Sequence, residues 1–153
     1  MDVKLINPFI ESFVSVMPQL GFSEVRRGGL GLKEQEIFYS GVLILVGIVG
    51  GMKGNVVFCM GMEEAKRIAS AMLMGMEVEE LDELSTSALS EMANMLAANA
   101  ATFFSNEGTL IDISTPTLLS GENISVKMGA KNVLCVSRFA DEIPVDINIA
   151  FAT

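Results

Sequence analysis

The chain has 153 residues, half of them hydrophobic, and a formal net charge of −9. That length can bury one sizeable core, so a single domain is expected over residues 1–153. An acidic surface repels nucleic-acid phosphates and anionic lipids, which argues against nucleic acid or a membrane as a partner. The absence of His removes the commonest general base and the commonest zinc ligand.

The first third of the chain predicts a helix followed by strands. Asn7 and Pro8 are typical of the cap and first turn of a helix, and Pro18 and Gly21 are typical of its end. The stretch GGMKGN predicts a hairpin between the last two of the strands that follow. These strands are expected at about 23–32, 35–49 and 54–61.

Two further helices are expected in the middle of the chain. The first covers about 62–74, with Gly75 as its C-cap. The acidic segment MEVEELDELS then leads to a long helix at about 82–105, whose first carboxylates lie near the positive end of the helix dipole. These acids lack the fixed spacing of an EF-hand, so a solvated linker is favoured over a cation site.

The remainder predicts strands at about 109–113, 123–128, 132–139 and 143–151, with STPTLLSGEN and MGAKN as turns. This element order indicates an α+β fold, a mostly antiparallel sheet with long helices packed on one face. Cys59 and Cys135 lie far apart in apolar runs, which favours buried free thiols over a disulfide or a metal pair. The N-terminus lacks the pattern of a signal peptide, so a cytoplasmic protein is expected.

The long helix carries a narrow polar stripe opposite its apolar face. At about 100° per residue, Ser87, Glu91 and Asn94 fall within about 60° of one another. Ala98 and Ala101 continue the stripe with almost no side chain, so the backbone of another protein could approach closely. The inward face is expected to hold Leu89, Met92, Leu96, Ala100 and Phe103.

Spacing alone leaves two interpretations of this stripe. A solvated helix face is the commoner one. Against it, Asn is a poor residue for the middle of a helix, and no Lys or Arg occurs between Arg67 and Lys127 to solubilise the surface. The stripe is therefore also a candidate functional site.

The segment SALSEMANMLAANA resembles the motif of the CheC/CheX/FliY chemotaxis phosphatases, which is Asp or Ser, three residues, Glu, two residues and Asn. Ser87, Glu91 and Asn94 fill that pattern here. The stretch INPFIESFVSVM resembles the CheX opening helix. Two more stretches, GGMKGNVVFCMGMEEAKRIASAMLMG and ISTPTLLSGENI, resemble the family's Gly-strand with its helix and the stretch after the motif helix.

The sequence departs from the family pattern in two places. Ala98 occupies a region where Gly is common, which is a small change. CheC-type members carry two motif helices, whereas the first helix here has Glu11 but Val14 where an amide would be needed. One complete site per chain is therefore expected, as in CheX.

The resemblance implies a phosphatase that stimulates hydrolysis of the aspartyl phosphate on a CheY-like response regulator. Asn94 would orient the attacking water, and Glu91 would anchor the helix to the active-site Lys of the regulator. Ser87 would add a peripheral hydrogen bond, and Ala98 would leave room for the partner. The chain itself would bind no cofactor and no metal, while Mg²⁺ is expected in the partner.

The resemblance also implies a homodimer, and it leaves one alternative function. The same fold serves as a non-catalytic module that docks a response regulator or a flagellar switch component. The intact pair of Glu91 and Asn94 favours the enzyme, because a scaffold has no need of an amide at that position.

Overall fold

The computed structural model describes residues 3–152. These residues form three α-helices and five strands in the order α1 (Asn7–Gln19), β1 (Val25–Gly50), β2 (Gly54–Met60), α2 (Met62–Met72), α3 (Glu83–Asn106), β3 (Ile111–Ile113), β4 (Thr117–Ala140) and β5 (Ile143–Phe151). All strand pairs are antiparallel, so the predicted α+β class is confirmed. Within the described range, no helix combines the length and the apolar character needed to cross a membrane.

Two strands of the sheet are much longer than predicted. The strands expected at 23–32 and 35–49 are one strand, β1, and most of the two expected turns STPTLLSGEN and MGAKN lies within β4. At these places the register shifts, so that residues 128–131 lie opposite Gln35 alone. A β-bulge of this kind bends a strand without ending it. The prediction of turns there is therefore wrong.

The sheet is covered on both faces. Its strand order is β2-β5-β4-β1-β3, and β1 also pairs with β2. The middle of β1 and β4, residues 36–39 with 124–127, forms a two-stranded ribbon. The ribbon covers one face of the sheet, where Ile37 and Met128 are buried against Val57 and Ala150. The helices cover the opposite face. The prediction of helices on one face is confirmed, but the ribbon was not foreseen.

The start of α1 differs from the prediction. Ile6 is the N-cap and makes no side-chain cap hydrogen bond, while Asn7 is already helical. Asn7 as the cap is therefore wrong, and Pro8 in the first turn is correct. Gly21, with φ of +105°, follows the end of the helix as expected.

The end of α2 is displaced by two residues from the prediction. Leu73 is the C-cap, and Met74 takes a left-handed conformation with φ of 60°. The N–H of Gly75 donates to the carbonyl of Ser70 at 2.8 Å, which completes a Schellman motif. Gly75 therefore stabilises the helix end without being its cap.

An aromatic chain joins the helices to the sheet. The rings of Phe9 and Phe104 lie edge to face at 5.9 Å, and those of Phe104 and Phe151 at 6.1 Å. Leu89, Met92, Leu96 and Ala100 are buried as predicted. The assignment of Phe103 to the inward face is wrong, because Phe104 is buried instead.

Candidate functional site

The helix that carries the polar stripe, α3, is fixed at two points. At its start, the N–H of Ser85 donates to Asp82 Oδ1 at 2.9 Å and the N–H of Asp82 donates to Ser85 Oγ at 2.8 Å, forming a capping box. Farther along, the buried hydroxyl of Ser12 in α1 donates to the carbonyl of Leu96 at 2.5 Å. These contacts set the position and the rotation of α3, and hence the direction in which its outer face points.

The capping box predicts a specific pH dependence of stability. The hydrogen bonds from the N–H and hydroxyl of Ser85 lower the pKa of Asp82 below its ordinary value. Ionised Asp82 therefore stabilises the fold above the pKa of the unfolded chain, about 3.9, and this contribution is lost as the pH falls through the lower folded pKa. Asp82→Asn keeps a cap acceptor that does not titrate. We expect wild type to lose Tm relative to this variant as the pH falls from 7 towards 2, measured by circular dichroism.

Two matched observations complete that test. Above pH 5, where Asp82 is ionised, the difference in Tm between the two proteins should not change with pH. A difference in Tm between wild type and Asp82→Asn that stays constant down to pH 2 would show that the carboxylate is not held by the capping box in solution.

Three residues of the predicted stripe line one open groove of about 700 Å³. Ser87 and Glu91 are exposed, and Asn94 is half-buried. The predicted outward direction of all three is confirmed. Ala98 is also exposed, but it lies one turn farther along the helix and does not line the groove. The structure therefore brings Ser87, Glu91 and Asn94 together and leaves Ala98 beyond them.

The opposite wall of the groove was missed by the sequence analysis. It consists of the end of β3, the connection to β4 and the start of β4. These wall residues are Ile113, Ser114, Thr115, Pro116 and Leu118. Thr86 and Ser90 of α3 also line the groove and were not predicted. No spacing along the chain indicates that residues 113–118 lie beside α3, because that proximity arises from the pairing of β3 and β4 with β1.

The polar groups of Glu91 and Asn94 have no internal partners. Among residues 3–152, neither side chain makes a hydrogen bond or an ion pair. Among the residues that the structure describes, Glu91 is the only charged one lining the groove. A groove with one carboxylate and no cation repels a free phosphate ion but fits a partner that brings its own positive charge.

The two cysteines play no part in this groove. Both are buried free thiols, as predicted. Burial raises the pKa of Cys59 to about 12 and also raises that of Cys135, so both stay protonated and unreactive at neutral pH. The described residues also contain no group of three or more Cys, Asp or Glu arranged to hold a metal ion. The chemistry of the groove therefore depends on the amide, the carboxylate and nearby hydroxyls.

Comparisons with known proteins agree with this geometry. The family model described as chemotaxis phosphatase CheX matches residues 42–138. The CheY-P phosphatase CheX of Thermotoga maritima is 33% identical over 144 residues, which cover 93% of this chain and 92% of that protein. A CheC-like superfamily protein from Shewanella sp. PV-4 is 27% identical with a TM-score of 0.86, over 100% of both chains. In the CheX–CheY–BeF₃–Mg²⁺ complex of Borrelia burgdorferi, the matched chain is 25% identical with a TM-score of 0.77, covering 99% of this chain and 100% of that one. The resemblance first indicated by Ser87, Glu91 and Asn94 is thus confirmed over nearly the whole chain, which belongs to the chemotaxis phosphatase CheX family.

Proposed function

We propose that this protein stimulates the dephosphorylation of a CheY-type response regulator that carries an aspartyl phosphate. The observation that carries the proposal is the free carboxamide of Asn94 beside the free carboxylate of Glu91, in a groove whose described lining residues include no cation. Two relatives support it: the Thermotoga protein is named a CheY-P phosphatase, and the Borrelia protein forms a complex with CheY. Phosphorylated response regulators occur in the cytoplasm, so the protein is proposed to act there.

The reaction needs little from this chain beyond the placement of a water molecule. The oxygen of water attacks phosphorus, the bond from phosphorus to the aspartyl oxygen breaks, and its electron pair leaves with the carboxylate of the regulator. The proton of water passes to the released phosphate. Phosphoryl transfer is catalysed mainly by positioning and electrostatics, and an amide that orients water serves this purpose in GTPases.

Asn94 has the chemical groups for that role. Its carbonyl oxygen accepts a hydrogen bond from the attacking water, while its amide N–H groups face the phosphoryl oxygens. This chain is proposed to bind no cofactor. Mg²⁺ is expected in the regulator, where it neutralises charge on the phosphoryl group.

Glu91 and the small residues near it are proposed to dock the regulator. The carboxylate of Glu91 pairs with the active-site Lys of the regulator and fixes the register of α3 against the partner. Ser87, one turn earlier, adds a peripheral hydrogen bond. Ala98 lies beyond the groove and lets the partner backbone approach α3 closely.

The function is tested directly with phosphorylated regulators. CheY-type receiver domains from the same organism are phosphorylated with acetyl phosphate, separated from the donor and mixed with this protein in MgCl₂. We expect phosphate release to be faster than from the regulator alone for at least one member of the panel. Binding of a beryllofluoride-loaded regulator without faster release would instead support the non-catalytic docking module.

We further propose that the protein is a homodimer joined through the first part of β1. Residues 25–34 pair with β4 on one side and, within the described chain, with no strand on the other. Leu30 and Leu32 in this segment are 57% and 70% exposed, although they lie opposite the core residues Val136 and Leu134. An unpaired edge with apolar side chains favours pairing with another strand.

The dimer proposal predicts that Leu32→Glu produces a monomer. The added carboxylate would be buried without a partner when two such edges meet, which is unfavourable. Size-exclusion chromatography with light scattering should then report the 16.4 kDa mass of one chain, against twice that mass for wild type. Leu110→Glu is a matched control, because Leu110 is 73% exposed but lies outside this edge. A Leu32→Glu protein that keeps the wild-type mass would contradict the proposed interface.

A further inference from the structure

The wall of the groove that faces α3 contains a β-bulge. The strand β3 ends with Ile113 opposite Ile48, and β4 begins with Thr117 opposite Leu45. Two residues of β1 therefore face three residues, 114–116, on the other side. An extra residue in one strand pushes its backbone out of the ladder. In this structure, it places residues 115 and 116 in the groove, across from Glu91 and Asn94.

The bulge is closed by a hydrogen bond from a side chain. The N–H of Ser114 donates to the carbonyl of Gly47 at 2.9 Å, as in a regular antiparallel ladder. The return bond differs, because the N–H of Gly47 donates to Ser114 Oγ at 2.8 Å and not to the Ser114 carbonyl. The hydroxyl thus takes the place of the Ser114 carbonyl as the acceptor for the Gly47 N–H.

The small size of Gly47 is part of this contact. A Cβ at position 47 would lie 3.3 Å from Ser114 Oγ, which is closer than an ordinary van der Waals contact. The exposed Thr115 makes no side-chain hydrogen bond within residues 3–152, so its hydroxyl is free to meet a partner. The wall therefore combines Ser114, which is held by its contact with Gly47, with the hydroxyl of Thr115, which is available to a partner.

We propose that Ser114 is a positioning residue for the phosphorylated regulator. Its hydrogen bond to Gly47 fixes the position of Thr115 and Pro116 relative to α3. The regulator then binds between the bulge and the face of α3 that carries Glu91 and Asn94. This inference rests on the proposed function and adds a second contact surface for the same partner. A wall that is ordered before binding lowers the entropic cost of association.

The inference predicts an effect on KM that is separate from kcat. Ser114→Ala removes the hydrogen bond that positions the wall but leaves Asn94 in place. We therefore expect KM for the phosphorylated regulator to rise about five-fold, with kcat within about two-fold of wild type. Ser114→Thr keeps the hydroxyl and should restore the wild-type KM. Gly47→Ala crowds the same bond from the opposite strand and should also raise KM.

Ser125→Ala is the matched control. It removes a hydroxyl that donates to Glu36 on the ribbon, and Ser125 does not line the groove, so its KM should equal that of wild type. All variants are compared by phosphate release at varied regulator concentration, using the regulator that wild type dephosphorylates fastest, and by thermal unfolding.

The outcomes separate this inference from the proposed function. An unchanged KM for Ser114→Ala, or a Ser114→Thr protein as impaired as Ser114→Ala, would overturn the positioning role of Ser114. An equal rise in KM for Ser125→Ala would overturn it too. If wild type accelerates phosphate release and Asn94→Ala does not, the proposed function survives either result. If wild type itself gives no acceleration, both fail.

Discussion

Asn94→Ala is expected to slow stimulated phosphate release about 10²–10³-fold, the usual effect of losing one well-placed polar group from an active site. The stability of the fold should not decrease. The side chain of Asn94 makes no hydrogen bond within residues 3–152, and Ala is the better helix former, so Tm should stay the same or rise slightly. The rate is measured at saturating regulator so that the chemical step is compared directly, and Tm is measured by circular dichroism.

Two further variants show whether the amide itself is responsible. Asn94→Asp keeps the shape of the side chain, but it removes the N–H donors and places a negative charge against the phosphoryl group. It should therefore be as slow as Asn94→Ala. Asn106→Ala changes an exposed Asn at the end of the same helix, outside the groove, and should keep the wild-type rate. A fast Asn94→Ala enzyme would remove Asn94 from the mechanism.

One wall of the groove could be predicted from the sequence because it depends on local spacing. The bounds of α3, Glu83–Asn106, lie within one residue of the expected 82–105. The periodicity of an α-helix fixes which residues share a face, so Ser87, Glu91 and Asn94 could be placed together and pointed outward before any tertiary structure was known. Nothing else in the fold had to be correct for that prediction to hold.

The course of β4 and the opposite wall could not be predicted, because the residues of the two expected turns suit a β-bulge equally well. Asn123 and Gly129 have φ of 51° and 76°, backbone conformations that the two expected turns also require. Whether the chain reverses or continues at such a residue is decided by the strand beside it. Here β1 continues past both positions, so β4 forms a bulge at each of them and continues to pair with β1. The same long-range pairing places residues 114–116 beside α3.

The choice of Phe104 over Phe103 has a similar cause. At about 100° per residue, Phe103 falls near 160° from Ser87, inside the expected inward arc, and Phe104 falls about 100° beyond it. Phe104 is selected by its edge-to-face contacts with Phe9 of α1 and Phe151 of β5, which belong to distant parts of the chain. Local periodicity therefore predicts the buried residues over most of α3, while tertiary packing decides which residue is buried at its far end.

The charge of the groove indicates how the proposed reaction is divided between two proteins. The chain has a net charge of −9, and the described residues that line its groove include a carboxylate but no Lys or Arg. It therefore supplies nothing that neutralises a phosphoryl group. In the proposed reaction the regulator provides that positive charge, and this chain provides the amide of Asn94. Such a division requires the two active surfaces to meet in an accurate register, and Glu91 is the group proposed to set it.

Glu91→Ala is accordingly expected to weaken association far more than the chemical step. Truncating one member of a desolvated charge pair costs about 2 kcal/mol or more, which is about thirty-fold in affinity. We expect that loss in the Kd for a beryllofluoride-loaded regulator and in KM, with kcat at saturation reduced only a few-fold. The affinity of wild type should fall as salt is added, because screening weakens the pair.

Glu91→Gln separates charge from shape, since it retains the size of the side chain and its hydrogen-bonding capacity. It should bind nearly as weakly as Glu91→Ala, and its affinity should depend less on salt than that of wild type. Glu11→Gln removes one exposed carboxylate from the neighbouring helix α1, changes the net charge by the same amount and should bind like wild type. If Glu11→Gln weakened binding as much as Glu91→Gln, the overall charge of the protein would explain the affinity. If Glu91→Ala bound the regulator with wild-type affinity, Glu91 would not be the residue that anchors α3 to the regulator.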